Sequence, residues 1–216
     1  MKVTFVIIDD NISIKEHSLL YTLEDDGFNV LFFLKPEEGL DYITNHLDLN
    51  MIVLLDIQFS ATDKENGHSI LKKIKEKSEL IPVILWSGIN ETEETFSDFI
   101  NNNAFGFISK DASLQESFIS IDKALHFLKT NLDNTIEDWI IQKDEDKNIP
   151  IYISSDGNSF SLNEILHEIR TQSEIGKSFS RKLNELTIDL LLRKKENTNY
   201  GSSYIYFKIQ IIKLLK

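Results

Sequence analysis

Residues 51–55, MIVLL, form an unbroken apolar run that stops at an acid, Asp56. A strand with one face in water alternates apolar and polar residues. A run without alternation belongs to a strand covered on both faces. Four other short segments read the same way: VTFVII (3–8), NVLFFL (29–34), VILW (83–86) and FGFIS (105–109). Helical patterns lie between them. Residues 13–25 put Ile14, Leu19, Leu20 and Leu23 on one side, with Asn11 or Ser13 as the cap and Gly27 as the stop. Pro36 suits the first turn of a helix that reaches about Leu47. Further helices are expected over about 67–77, 91–102 and 113–129.

Five strand–helix units in about 130 residues predict a doubly wound, flavodoxin-like α/β domain around a five-stranded parallel sheet. Right-handed crossovers leave few topologies, and strand order 2-1-3-4-5 suits this size. In such a sheet the functional crevice lies at the carboxyl ends of the strands.

Composition narrows the partners. The chain of 216 residues is 41% hydrophobic, lacks cysteine and carries a net charge of −12. Disulfide and thiol chemistry are therefore excluded. No apolar stretch reaches the roughly 20 residues that a membrane-crossing helix needs, and no leader pattern precedes VTFVII, so a cytoplasmic protein is expected. Residues 1–150 hold 13 Lys and Arg against 28 Asp and Glu, whereas residues 151–216 hold 10 against 7. An acidic surface of that size repels nucleic acid.

The strand ends carry the chemistry. Asp9 and Asp10 follow the first strand, Asp56 the third, Ser87 the fourth and Lys110 the fifth. With order 2-1-3-4-5 these ends are neighbours, so three carboxylates, a hydroxyl and an ammonium converge. Clustered carboxylates repel one another unless a cation neutralises them. Mg2+ takes oxygen ligands and is often shared with a phosphate oxygen. A carboxylate beside it can attack phosphorus and form an acyl phosphate. Each of these acids alone reads as a surface charge or a helix cap; their joint placement is what points to a site.

IIDD (7–10), LLD (54–56), WSG (86–88) and FISK (107–110) together resemble the receiver domain of bacterial response regulators, over about residues 1–128. The resemblance implies that Asp56 accepts the phosphoryl group. Asp9 and Asp10 would organise Mg2+, with Asp56 and the main-chain carbonyl of Gln58 as further ligands. Ser87 and Lys110 would bind the phosphoryl group, and Ser87 and Phe107 would act as switch residues. The donor would be a sensor histidine kinase or a histidine phosphotransfer protein. Phosphorylation would re-form the surface of the helix at 91–102, the fifth strand and the helix at 113–129. Such a protein promotes its own phosphorylation and hydrolysis but is not a conventional enzyme. Two departures stand out. Gly67 follows Asp56 by eleven residues, a longer loop than the resemblance implies. Asp111 stands where a proline, often preceded by a cis bond, is commoner.

Residues 130–150 are charged and broken up, and read as a linker or an extension of the preceding helix. Residues 151–216 read as a small α+β output module of no recognised family. IYISSDGNSF (151–160) suits a hairpin with a type I′ turn at Asp156-Gly157. Two helices are expected, 162–172 and 177–195, separated by Gly176, and then a strand at 204–212. HEIRT (167–171) is similar to the phospho-accepting box of histidine kinases, but Gln172 stands where that box has proline. An ordinary amphipathic helix is therefore the better reading, and a phosphorelay role for His167 the alternative. RKK (193–195) and the later lysines suit a helix C-terminus and a solvated tail. The expected output is protein–protein interaction with an unidentified downstream protein, and homodimers are a further expectation. The competing reading is transcriptional regulation through an atypical DNA-binding module.

Overall fold

The computed structural model describes residues 2–59, 66–88 and 103–193, with only the main chain of Arg193. The helix expected at 91–102, the strand expected at 204–212 and the cations beyond Arg193 lie outside the described residues. Two compact units emerge, dividing between Asn134 and Thr135.

The first unit holds five parallel strands: β1 (Val3–Ile8), β2 (Asn29–Phe33), β3 (Asn50–Leu55), β4 (Val83–Ser87) and β5 (Gly106–Ser109). Their order is β2-β1-β3-β4-β5. Every residue of β1 and β4 is buried. Alternate residues serve opposite faces. Phe5, Ile7, Ile52, Leu54, Ile84 and Trp86 enter one core; Val6, Ile8, Val53, Leu55, Val83 and Leu85 enter the other. The first core also takes Leu19 and Leu23 from α1 (Ser18–Asp25) and Ile121, Ala124 and Leu128 from α4 (Leu114–Thr130). The second takes Ile43 from α2 (Pro36–Asn45) and Ile70, Leu71 and Ile74 from α3 (Gly67–Lys77). Each such buried side chain contributes about 1.5–3 kcal/mol, which is why the unalternating runs behave as strands.

The helix expected at 13–25 is split. Ile12–Glu16 forms a 3-10 turn capped by Asn11, whose side chain accepts from Ser13 N–H. His17 is extended (ψ 135°) and caps α1. An extended residue at 17 ends one helical segment and starts the next.

In the second unit, β6 (Pro150–Ile153) and β7 (Ser159–Ser161) form an antiparallel hairpin, followed by α6 (Leu162–Arg170) and α7 (Glu174–Arg193). The type I′ turn is not formed. Only Gly157 of the expected pair is left-handed (φ 90°), and Ser154 N–H closes a wider loop onto the Asn158 carbonyl at 2.9 Å. Residues 132–141 form their own helix, α5, because Asn131 is extended (ψ 126°) after α4 and its side chain accepts from Asp133 N–H.

Gly176 does not interrupt the helical pair; it lies inside α7. The break falls at Gln172 (φ 51°), and a Cβ at 176 would come within 2.2 Å of the Glu168 carbonyl oxygen. Glycine is there for the close approach of α6 and α7. Tyr152 meets Phe179 edge to face (5.2 Å between ring centres), and Arg170 Nε holds the buried Glu137 at 2.5 Å. Among the described residues no helix is long and apolar enough to cross a membrane.

Candidate functional site

The strand ladders run one residue past the strand ends, and the residues they reach are the chemical ones. Asp9 N–H donates to the Phe33 carbonyl (3.1 Å), Asp56 N–H to the Ile8 carbonyl (2.9 Å) and Lys110 N–H to the Ser87 carbonyl (2.9 Å). The pairing Ile8↔Leu55 sets Asp9 and Asp56 side by side; Ser87↔Ser109 sets Lys110 just beyond Ser87. Main-chain bonds within a rigid sheet thus hold these groups.

Their side chains meet. Oxygens of Asp9, Asp10 and Asp56 all lie within 4.8 Å of one another. Lys110 Nζ is 2.6 Å from Asp9 Oδ2 and 3.2 Å from Asp56 Oδ2. The second oxygens are also held: Asn11 N–H donates to Asp9 Oδ1 (2.9 Å) and Ile57 N–H to Asp56 Oδ1 (2.8 Å). Asp9 is 1% exposed and Asp56 6%. Burial pushes the Asp56 carboxyl up to about 6, and the Asp9 charge adds to the rise, against Lys110 and the Ile57 N–H. Burial likewise raises Asp9, with Lys110 opposing and Asp10 contributing slightly. One ammonium does not offset three carboxylates, and hard oxygen donors in such a cluster suit a hard cation.

Ser87 is buried at the end of β4, and Phe107 is half-buried in β5 against the second core. Gln58 is exposed two residues past Asp56. His167 is exposed on α6, in the other unit. The peptide bond into Asp111 is trans.

Two supports were not legible in the sequence. Gly67, at the start of α3, donates its N–H to the Ile57 carbonyl (3.0 Å), and a Cβ there would lie 2.6 Å from the Asp56 carbonyl oxygen. The first residue of α3 therefore lies directly against the main chain carrying Asp56. His17 Nε2 lies 3.1 Å from the Lys110 carbonyl, 93 residues away in the chain. A histidine before an amphipathic run announces at most a cap.

Comparison with known proteins agrees with this geometry. The family model described as the response regulator receiver domain matches residues 5–122. A response regulator receiver domain protein from Clostridium thermocellum is 26% identical, covering 59% of this chain and 97% of its own, with a TM-score of 0.52. A CheY-like receiver domain protein from Methanospirillum hungatei JF-1 is 23% identical, covering 60% and 98%, with a TM-score of 0.53. NtrX from Brucella abortus is 23% identical; the match covers 63% of this chain and 31% of NtrX, with a TM-score of 0.53. No curated protein matches the chain. A parallel sheet of order 2-1-3-4-5 with acids at its carboxyl edge, and a family match over more than half the sequence, make this chain a member of the response regulator receiver family.

Proposed function

We propose that this chain is a cytoplasmic two-component response regulator that accepts a phosphoryl group on Asp56. A sensor histidine kinase or a histidine phosphotransfer protein is the donor. The observation that carries the reading is the Asp56 carboxylate, fixed by main-chain bonds at the sheet edge, with the Lys110 ammonium at 3.2 Å.

A carboxylate oxygen of Asp56 attacks phosphorus. The P–N bond to the donor imidazole breaks, and the leaving ring nitrogen keeps the electron pair and takes a proton. The product is an acyl phosphate. Lys110 and the Ser87 hydroxyl stabilise charge on the transferred oxygens. Later attack by water returns Asp56 and inorganic phosphate.

The donor set fits Mg2+. Octahedral ligands at about 2.1 Å lie within about 4.2 Å of one another, and the three carboxylates already come within 4.8 Å. Asp9, Asp10, Asp56 and the carbonyl of Gln58 would hold the ion. When bound, it supplies the positive charge that Lys110 alone does not.

Phosphorylation would bias Ser87 and Phe107 toward a second arrangement, a population shift rather than conventional enzymatic turnover. Output through protein–protein contact is supported by Ile188, Leu191 and Leu192 of α7, which are 50–62% exposed. The test is labelling by phosphoramidate. Incorporation that needs Mg2+ and disappears in Asp56→Asn is expected; equal labelling of that variant would refute the assignment.

A further inference from the structure

His17 joins three parts of the site that lie far apart in the chain. Its Nδ1 sits 3.1 Å from Leu19 N–H, a donor, so Nδ1 is the acceptor. A neutral imidazole then carries its proton on Nε2. Nε2 lies 3.1 Å from the Lys110 carbonyl and donates to it. The ring stands edge-on to Trp86, with 5.0 Å between centres and 86° between planes. Trp86 is buried in β4 and immediately precedes Ser87.

Lys110 is therefore gripped on both sides of its α-carbon. Its N–H donates to Ser87, and its carbonyl accepts from His17. Between these two anchors its side chain reaches Asp9 and Asp56. The second anchor matters because the next residue is Asp111, without the fixed backbone angle of a proline.

We infer that His17 is a positioning residue for phosphoryl transfer. By holding the Lys110 main chain it sets where the ammonium meets the group arriving at Asp56. This rests on the assignment of Asp56 as acceptor.

Three substitutions separate positioning from mere helix capping. His17→Asn keeps an acceptor for the Leu19 N–H, and asparagine is a favoured cap, but its amide is too short for the Lys110 carbonyl. His17→Gln places a donor near Nε2 with a poorer cap. His17→Ala has neither.

The full chain is labelled with phosphoramidate, a donor that needs no docking surface, over a range of concentrations with Mg2+, and thermal unfolding is followed in parallel. His17→Asn should unfold near the wild-type temperature yet label about tenfold more slowly at saturating donor. His17→Gln should label faster than His17→Asn while unfolding at a lower temperature. Labelling that follows unfolding temperature across the three variants, or a wild-type rate in His17→Asn, overturns the inference. If Asp56→Asn is silent in the same assay, the acceptor assignment still stands. A wild-type chain that takes up no label overturns both.

Discussion

Gly67 lies against the main chain of Asp56: a Cβ at position 67 would sit 2.6 Å from the Asp56 carbonyl oxygen and 2.7 Å from Ile57 Cα. Both neighbours belong to buried residues at the end of a central strand, which cannot yield cheaply. Gly67→Ala should therefore destabilise the chain by about 1–3 kcal/mol, the usual cost of overpacking. It should also slow phosphoryl uptake, because the residue that must move is Asp56 itself. Urea unfolding and phosphoramidate labelling check the two effects. An unchanged unfolding midpoint would mean that the loop, not the strand, absorbs the methyl group.

Asp56 makes the metal-free chain sensitive to acid in an unusual direction. Its folded carboxyl is pushed up to about 6 from 3.8, so the folded state binds this proton more tightly than the unfolded chain. The resulting stabilisation is complete below pH ~4 and is lost as pH rises through ~6. It amounts to about 3 kcal/mol at most. Metal-free wild type should thus gain stability on Asp56's account between pH 7 and 5. Asp56→Asn should gain less in that window and be more stable than wild type at pH 7. Denaturant curves at the two pH values decide it.

Lys110 opposes the charges of Asp9 and Asp56 from inside the site. Lys110→Met leaves those carboxylates uncompensated and should cost about 3 kcal/mol without metal. Mg2+ should then bind more tightly, because a competing positive charge is gone, while phosphoryl labelling falls. Calorimetric titration with Mg2+ reads the first effect. Weaker Mg2+ binding in the variant would show that the lysine shapes the metal site rather than competing with it.

Lys75 is another buried charge with no part in the site. Its ammonium donates to the carbonyls of Glu79 (3.2 Å) and Ile81 (2.9 Å). Burial lowers it to about 8 from 10.5, with Glu79 opposing. Its favourable contribution is complete above pH ~10.5 and is lost as pH falls through ~8. Between pH 7.5 and 9.5 wild type should therefore gain about 2 kcal/mol relative to Lys75→Met. Parallel denaturant curves for the two proteins test this; equal slopes with pH would place the ammonium in water.

Much of the site was legible because its signals are local. MIVLL ending in Asp56 needs only its own residues to read as a covered strand delivering an acid. The same holds for VTFVII before Asp9-Asp10, and FIS before Lys110. Alternation of strands and helices, with the handedness of crossovers, then leaves the acids one edge to share. Helix punctuation was harder. Gly176 looked like a stop, yet the chain breaks at Gln172, because the glycine answers to the Glu168 carbonyl on a neighbouring helix.

Periodicity and chain order carried the strand runs, the parallel order and the acidic edge, since both are written in neighbouring residues. Contacts that no local pattern encodes came only with folding. His17 reaches Lys110, Gly67 rests on Asp56, and Lys75 closes the turn before β4. Each depends on how closely the packed core brings its segments together, and no spacing along the chain records such distances.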